Sequence, residues 1–211
     1  MIYLERQFSG TLHTVECYSN LIIPKNGVPG KALINYGTWK SVVCVLEKFQ
    51  DYLALWKLLY PNQEESVPEE MRRSFFHRHN GKIWFPYPGP DATIFNMSQI
   101  YLHDKIEKKA VYYKAYTTTP SFWQLIFVPV MFLYYYLSNF ECFRKLLINF
   151  PRLFSLGCAS YNGPTHSTRK STKFNLVMKG TGWVAGADLR SKPTKTMSVK
   201  VSGTDPGYDI T

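Results

Sequence analysis

Twenty-six consecutive residues, Ala115 to Phe140, carry no charged side chain, and no other stretch constrains the chain as strongly. Its dense part, Phe122 to Leu137, reads FWQLIFVPVMFLYYYL, interrupted only by Gln124 and Pro129. Charge returns on both sides, with Lys108, Lys109 and Lys114 before it and Glu141, Arg144 and Lys145 after it. Sixteen helical residues reach roughly 24 Å, short of a hydrocarbon core about 30 Å thick. A full transmembrane helix would have to start near Tyr116, yet Thr117, Thr118, Thr119 and Pro120 open a helix poorly. Pro129 favours a kinked, shallow re-entrant wedge over a straight span.

Two features make lipid the expected environment, against the plainer reading of a helix buried in a soluble core. Trp123 stands at one end and Tyr134, Tyr135 and Tyr136 at the other, where amphipathic rings suit a membrane interface. Downstream, Phe143 to Phe154 mixes Leu146, Leu147, Ile148 and Phe150 with Arg144, Lys145 and Arg152, the composition of a basic helix lying among headgroups. The expected membrane-associating residues are therefore Phe122, Trp123, Leu125, Ile126, Phe127, Val128, Val130, Met131, Phe132, Leu133, Tyr134, Tyr135, Tyr136 and Leu137. Arg144, Lys145 and Arg152 form their basic flank.

Charge supports this. The formal net charge is +10, and from Ser138 onward eleven Lys and Arg stand against four Asp and Glu. Each well-placed cation beside anionic lipid contributes on the order of 1 kcal/mol. Nucleic acid is not the expected partner: the sequence has no zinc-finger spacing, RNP-type aromatic motif or dense arginine run. Cys17, Cys44, Cys142 and Cys158 contain no C-x-x-C pair, which fits a reducing compartment and neither a disulfide framework nor a cysteine zinc site. The opening MIYLERQFSG lacks the basic and apolar regions of a signal peptide, so membrane targeting is expected from the internal stretch.

Elsewhere the chain alternates strand and helix signals. Thr11 to Ile23 reads as a strand covered on both faces, and the following PKNGVPG as a loop. Val42, Leu46, Phe49, Leu53 and Trp56 mark one amphipathic helix opened by GTWKS, with Thr38 as its cap, ending by Tyr60. Asn62 to Asn80 reads as a polar loop with a short helix after Pro68, and His77 and His79 as solvated loop residues. Trp84 to Pro90 is extended, and Asp91 opens a further helix. Lys109 to Thr119, Lys173 to Lys179 and Thr194 to Ser202 complete four strands, with Gly180 and Gly182 marking a bulge or a close backbone approach. The sum is an α+β fold: a mostly antiparallel or mixed four-strand sheet, two or three helices and an apolar helical insertion.

Chemistry is sparse. There is no P-loop, no G-x-G-x-x-G after a strand, no G-x-S-x-G and no H-E-x-x-H. Glu64, Glu65, Glu69 and Glu70 bunch in one loop, so no working carboxylate pair is located. Taken by themselves, the residues show no catalytic, cofactor-binding or metal site.

Several motifs carry a resemblance. SGTLHTVECY followed by YGTWKS, then Gly89-Pro90-Asp91 with Gln99-x-Tyr101-Leu102, LLINFPRLFSLG, Gly163-Pro164-Thr165, KFNLVMKGTGW and KVSGTDPGY resemble the second, non-Rossmann domain of saccharopine dehydrogenase-like oxidoreductases. The resemblance implies that residues 1–211 are a partial second domain, a fragment without the family's Rossmann domain, with the apolar segment at about 120–140. It also implies that NAD or NADP would be bound only through that missing domain, so no cofactor is expected in this chain. The expected partners are a membrane or lipid-droplet surface on its cytosolic face, with docking to a Rossmann domain or a homo-oligomer, in a setting of lipid or glycolipid metabolism. Where relatives carry paired arginines, this chain has Phe95, Asn96 and Met97. A non-enzymatic membrane or lipid-droplet binding module remains the competing reading. GTWKS lines a substrate cleft on the enzyme reading, and on the plainer one Trp39 packs in the core.

Overall fold

The computed structural model describes residues 2–22, 32–59, 68–87, 91–106, 111–118 and 121–204. It falls into two compact units, the first formed by residues 1–21, 66–119 and 174–203, the second by 22–65, 120–173 and 204–211.

The first unit is built on a mixed sheet of six strands, two more than the four expected. In chain order these are β1 (Gly10–Ile22), β3 (His77–His79), β4 (Lys82–Pro86), β5 (Tyr112–Thr117), β7 (Lys173–Val184) and β8 (Lys195–Thr204). Their order across the sheet is β3-β4-β5-β1-β7-β8. β1 and β5 run parallel, with Thr14 opposite Tyr112 and Tyr18 opposite Tyr116. β4 runs antiparallel to both β3 and β5. The four expected strands correspond to β1, β5, β7 and β8. The addition is the β3–β4 hairpin, turned by Asn80 and Gly81 at φ +47° and +73°. Asn-Gly with both residues at positive φ is a strong two-residue hairpin signal, because its twist matches that of the strands.

β1 is covered on both faces, as the apolar residues on both of its sides imply: Thr14, Val15, Glu16, Cys17 and Tyr18 are all buried. One face packs beneath helix α1 (Ile2–Phe8), whose Leu4 and Phe8, four apart, join Leu12, Val15 and Val111 in a core. Phe95, from helix α4 (Asp91–Ile106), packs on Tyr113 at that core. The position without arginine is thus an apolar contact. Gln99 on the same helix accepts a hydrogen bond from the Val111 backbone N–H, fixing the entry to β5. Gly182 is a close backbone approach: a Cβ there would lie 2.1 Å from the Thr11 carbonyl oxygen.

The second unit is helical around a two-stranded parallel sheet of β2 (Ile34–Asn35) and β6 (Ala159–Ser160). The single helix expected after GTWKS is two, α2 (Tyr36–Glu47) and α3 (Phe49–Leu59), parted at Lys48. Its cap is Asn35, not Thr38: the Asn35 side chain accepts the Gly37 N–H at 2.9 Å. The buried face also differs. Trp39 and Val43 enter the core, whereas Val42, Phe49 and Leu53 stay partly exposed. α5 (Ser121–Leu137), α6 (Glu141–Asn149), α7 (Pro151–Phe154) and α8 (His166–Ser171) complete the unit. Trp39, Val43, Leu147 and Ala159 form its core, and the Trp39 indole N–H donates to the Leu147 carbonyl at 2.8 Å. The loop expected at PKNGVPG and the terminal DPGYDIT lie outside the described residues.

Candidate functional site

The apolar stretch divides between two structures. Ala115, Tyr116 and Thr117 belong to β5, so they cannot extend a helix, and the helical part is limited to the 17 residues of α5. That corresponds to about 25 Å. Among the described residues no helix is long and apolar enough to cross a membrane, which corrects the transmembrane alternative. Pro129 lies inside α5 as expected.

The side chains of Phe122, Trp123, Leu125, Phe127 and Val128 lie outside the described residues. The remainder of α5 has two faces. Tyr134 points into the unit, its hydroxyl donating to the Phe154 carbonyl at 2.5 Å and its ring meeting Trp39, Phe143 and Phe154. Tyr135 accepts a hydrogen bond from Gln50 and meets Phe49 edge-on. Val130, Met131 and Leu137 are half-buried. Phe132, Leu133, Tyr136 and, just beyond the helix, Phe140 are exposed, and Ile126 is partly so. The spacing of Phe132 and Tyr136 sets them on one helical stripe, and the Tyr136 ring meets that of Phe140, just past the helix end, at 6.2 Å. Of the three tyrosines expected at an interface, only Tyr136 faces outward.

The segment that carries α6 and α7 exposes a second apolar set, Leu146 on α6, Phe150 between the helices, Leu153 on α7 and Leu156 just past it, the last two roughly two-thirds exposed. Phe150, Leu153 and Tyr161 line an open groove together with Arg152. The basic flank is not uniform. Arg144 turns inward, pairing with Glu47 at 3.3 Å and donating to the Ser138 carbonyl at 2.7 Å. Lys145 is exposed and pairs with Glu141 one turn back at 2.7 Å, and Arg152 is exposed on α7.

The first unit holds a polar-aromatic cluster that sequence reasoning missed. Alternation along paired β1 and β5 places Glu16 beside Lys114 and Tyr18 beside Tyr116. Arg73 grips the buried Glu16 carboxylate with both Nε and Nη2, each at 3.0 Å. Lys114 donates to the Met71 carbonyl at 3.0 Å, and burial lowers its pKa. His77 and His79 are not solvated loop residues but strand residues packed against Tyr18 and Tyr116. Burial pushes the Tyr116 hydroxyl up to about 12 and raises Tyr18 further, so both are neutral phenols at physiological pH. Asn80-Gly81 was the signal that would have placed the histidines on a hairpin.

Among the described residues no group of three or more His, Cys, Asp or Glu side chains is placed to hold a metal ion. All four cysteines are free thiols. Of GTWKS, Trp39 packs in the core and Lys40 is exposed.

No family model matches the chain, and no solved structure does. Curated relatives do. The chain is 31% identical to the mouse saccharopine dehydrogenase-like oxidoreductase, and 30% identical to those of rat and human, each over 221 aligned positions. Each alignment covers 100% of this chain and 49% of the relative. By sequence the chain is a homologue of the saccharopine dehydrogenase-like oxidoreductases, matched along its whole length and spanning about half of theirs.

Proposed function

We propose that this chain is the sheet-bearing, non-Rossmann part of a saccharopine dehydrogenase-like oxidoreductase, and that it seats the enzyme on an anionic membrane or lipid-droplet surface facing the cytosol. On this reading NAD or NADP binds to a Rossmann domain outside these residues, and the chain alone performs no hydride transfer. Substrates drawn from lipid or glycolipid metabolism would suit an enzyme so placed. The Rossmann domain, or a second copy of the chain, is the protein partner.

The observation that carries the lipid reading is the exposure of Phe132, Leu133, Tyr136 and Phe140 around the end of α5, together with Leu146, Phe150, Leu153 and Leu156 downstream. Solvent-facing aromatic and leucine side chains in such number mark an interaction surface. Lys145 and Arg152 lie within the same segment, and the part of the chain from Ser138 onward is strongly basic. Lipid anions complement that combination better than an acidic protein does, because the apolar side chains also gain from leaving water.

The competing reading, a membrane-binding module with no dinucleotide partner, rests on the same surface. Flotation with anionic vesicles tests the lipid contact. Titration of NADH fluorescence against this chain, and then against a chain extended to the length of its relatives, separates the two readings. An enzyme part predicts binding only in the extended chain, whereas a stand-alone module predicts none in either.

A further inference from the structure

β3 contributes two histidines to one face of the sheet. His77 and His79 flank Arg78, so strand alternation turns both the same way. His79 lies flat on the buried Tyr18 ring, centroids 4.2 Å apart and planes 13° from parallel. His77 meets Tyr116 edge-on at 4.6 Å. Both ring nitrogens of His77 and the Tyr116 hydroxyl are enclosed without a hydrogen-bond partner of good geometry. A neutral imidazole tolerates this site. An imidazolium must donate from both nitrogens, and here it would leave a desolvated charge.

The surrounding charges do not relieve that cost. Facing the pair are Glu16 and Tyr18 on β1, Lys114 and Tyr116 on β5, Lys179 on β7, Arg73 before β3, and Lys82 opposite His79 across the hairpin. Glu16 is the one acid among them, and Arg73 already neutralises it through two hydrogen bonds.

We propose that β3 is an acid-released latch: protonation of His77 and His79 detaches this strand and uncovers the aromatic cluster of Tyr18, Tyr116 and Trp84. The strand is three residues long and lies at the end of the strand order, so beside the histidine ring contacts it is held only from the β4 side, by the hairpin ladder and by the Trp84 indole N–H, which donates to the His79 carbonyl at 2.9 Å. Burial first, then repulsion by Arg73 and His79, holds His77 below the usual imidazole range, against partial compensation from the Ser74 backbone and Glu16. Burial first, then Lys179, does the same for His79. With folded pKa values depressed, the stabilisation is full above the unfolded imidazole value near 6.5 and is lost as pH falls through the folded values.

The test is amide hydrogen exchange on the full chain at pH 7.5 and pH 5, corrected for intrinsic exchange rates. Each pKa unit of depression corresponds to about a tenfold loss of protection once both states are protonated. We expect protection in β3 and β4 to fall at least about tenfold at pH 5 while β1 is unchanged, and H77F/H79F to remove that response. An unchanged acid response in H77F/H79F overturns the proposal. Should that variant fail to fold, NMR titration of the wild-type imidazoles decides: midpoints below 6.5 that coincide with loss of β3 protection support the latch, and midpoints at or above 6.5 overturn it.

Discussion

Arg73 closes a two-pronged ion pair on Glu16, Nε to Oε1 and Nη2 to Oε2, in the middle of the largest sheet. The Glu16 side chain is 7% exposed and that of Arg73 is 37%. Removing the arginine leaves the buried Glu16 carboxylate without its ion-pair partner. Breaking a fully buried pair costs about 3–5 kcal/mol. Solvent screening of the guanidinium lowers this, so R73A should cost about 2–3 kcal/mol in urea denaturation. R73K keeps the charge but cannot match both oxygens, and should fall between wild type and R73A.

Helix α2 separates two candidate caps. Asn35 accepts the Gly37 N–H, whereas Thr38 lies inside the first turn. N35A should therefore destabilise by about 1 kcal/mol, and T38A by no more than about 0.5 kcal/mol. Thermal melts of the two variants give the comparison, and a larger loss in T38A would contradict the assigned helix start.

Trp39 both fills the core of the helical unit and donates to the Leu147 carbonyl. W39F keeps much of the volume but leaves that carbonyl unpaired, at a cost of about 1–3 kcal/mol. W39A adds a cavity and should cost about 3–5 kcal/mol. Equal losses in the two variants would mean that the indole hydrogen bond contributes nothing.

Gly182 was legible from sequence as a place where backbone comes close, and its contact with Thr11 bears this out. G182A should destabilise by at least about 1–3 kcal/mol, because the clashing atom is a backbone carbonyl rather than a mobile side chain. A circular-dichroism melt of G182A checks it.

The four strands seen in advance were those whose β-branched and aromatic residues form long runs, as in Thr11 to Ile23 and Lys173 to Lys179. The missed hairpin is short, and its signals conflict. His77, Arg78 and His79 look polar, and their burial comes from tyrosines on β1 and β5, distant in sequence. The Glu16–Arg73 pair was invisible for the same reason, since 57 positions separate its members. Helix α2 was visible by period but its buried face was displaced, because Trp39 and Val43 answer to Leu147 and Ala159 rather than to the longest apolar ladder. The apolar stretch announced itself, yet only the structure divides it into a sheet strand and a 17-residue helix, with Tyr134 and Tyr136 on opposite sides of that helix's role.

The lipid-surface account is tested most directly by flotation of the purified chain with vesicles containing anionic phospholipid, beside neutral vesicles and three variants. F132D/Y136D and L153D/L156D replace exposed apolar side chains without touching the described cores. K145E/R152E reverses the two exposed cations of the segment. The account predicts that wild type floats with anionic vesicles and less with neutral ones, that both apolar variants lose binding at any salt, and that K145E/R152E binds more weakly and with less salt dependence. Folded variants that float as well as wild type would contradict it, as would a wild-type chain that stays with the soluble fraction.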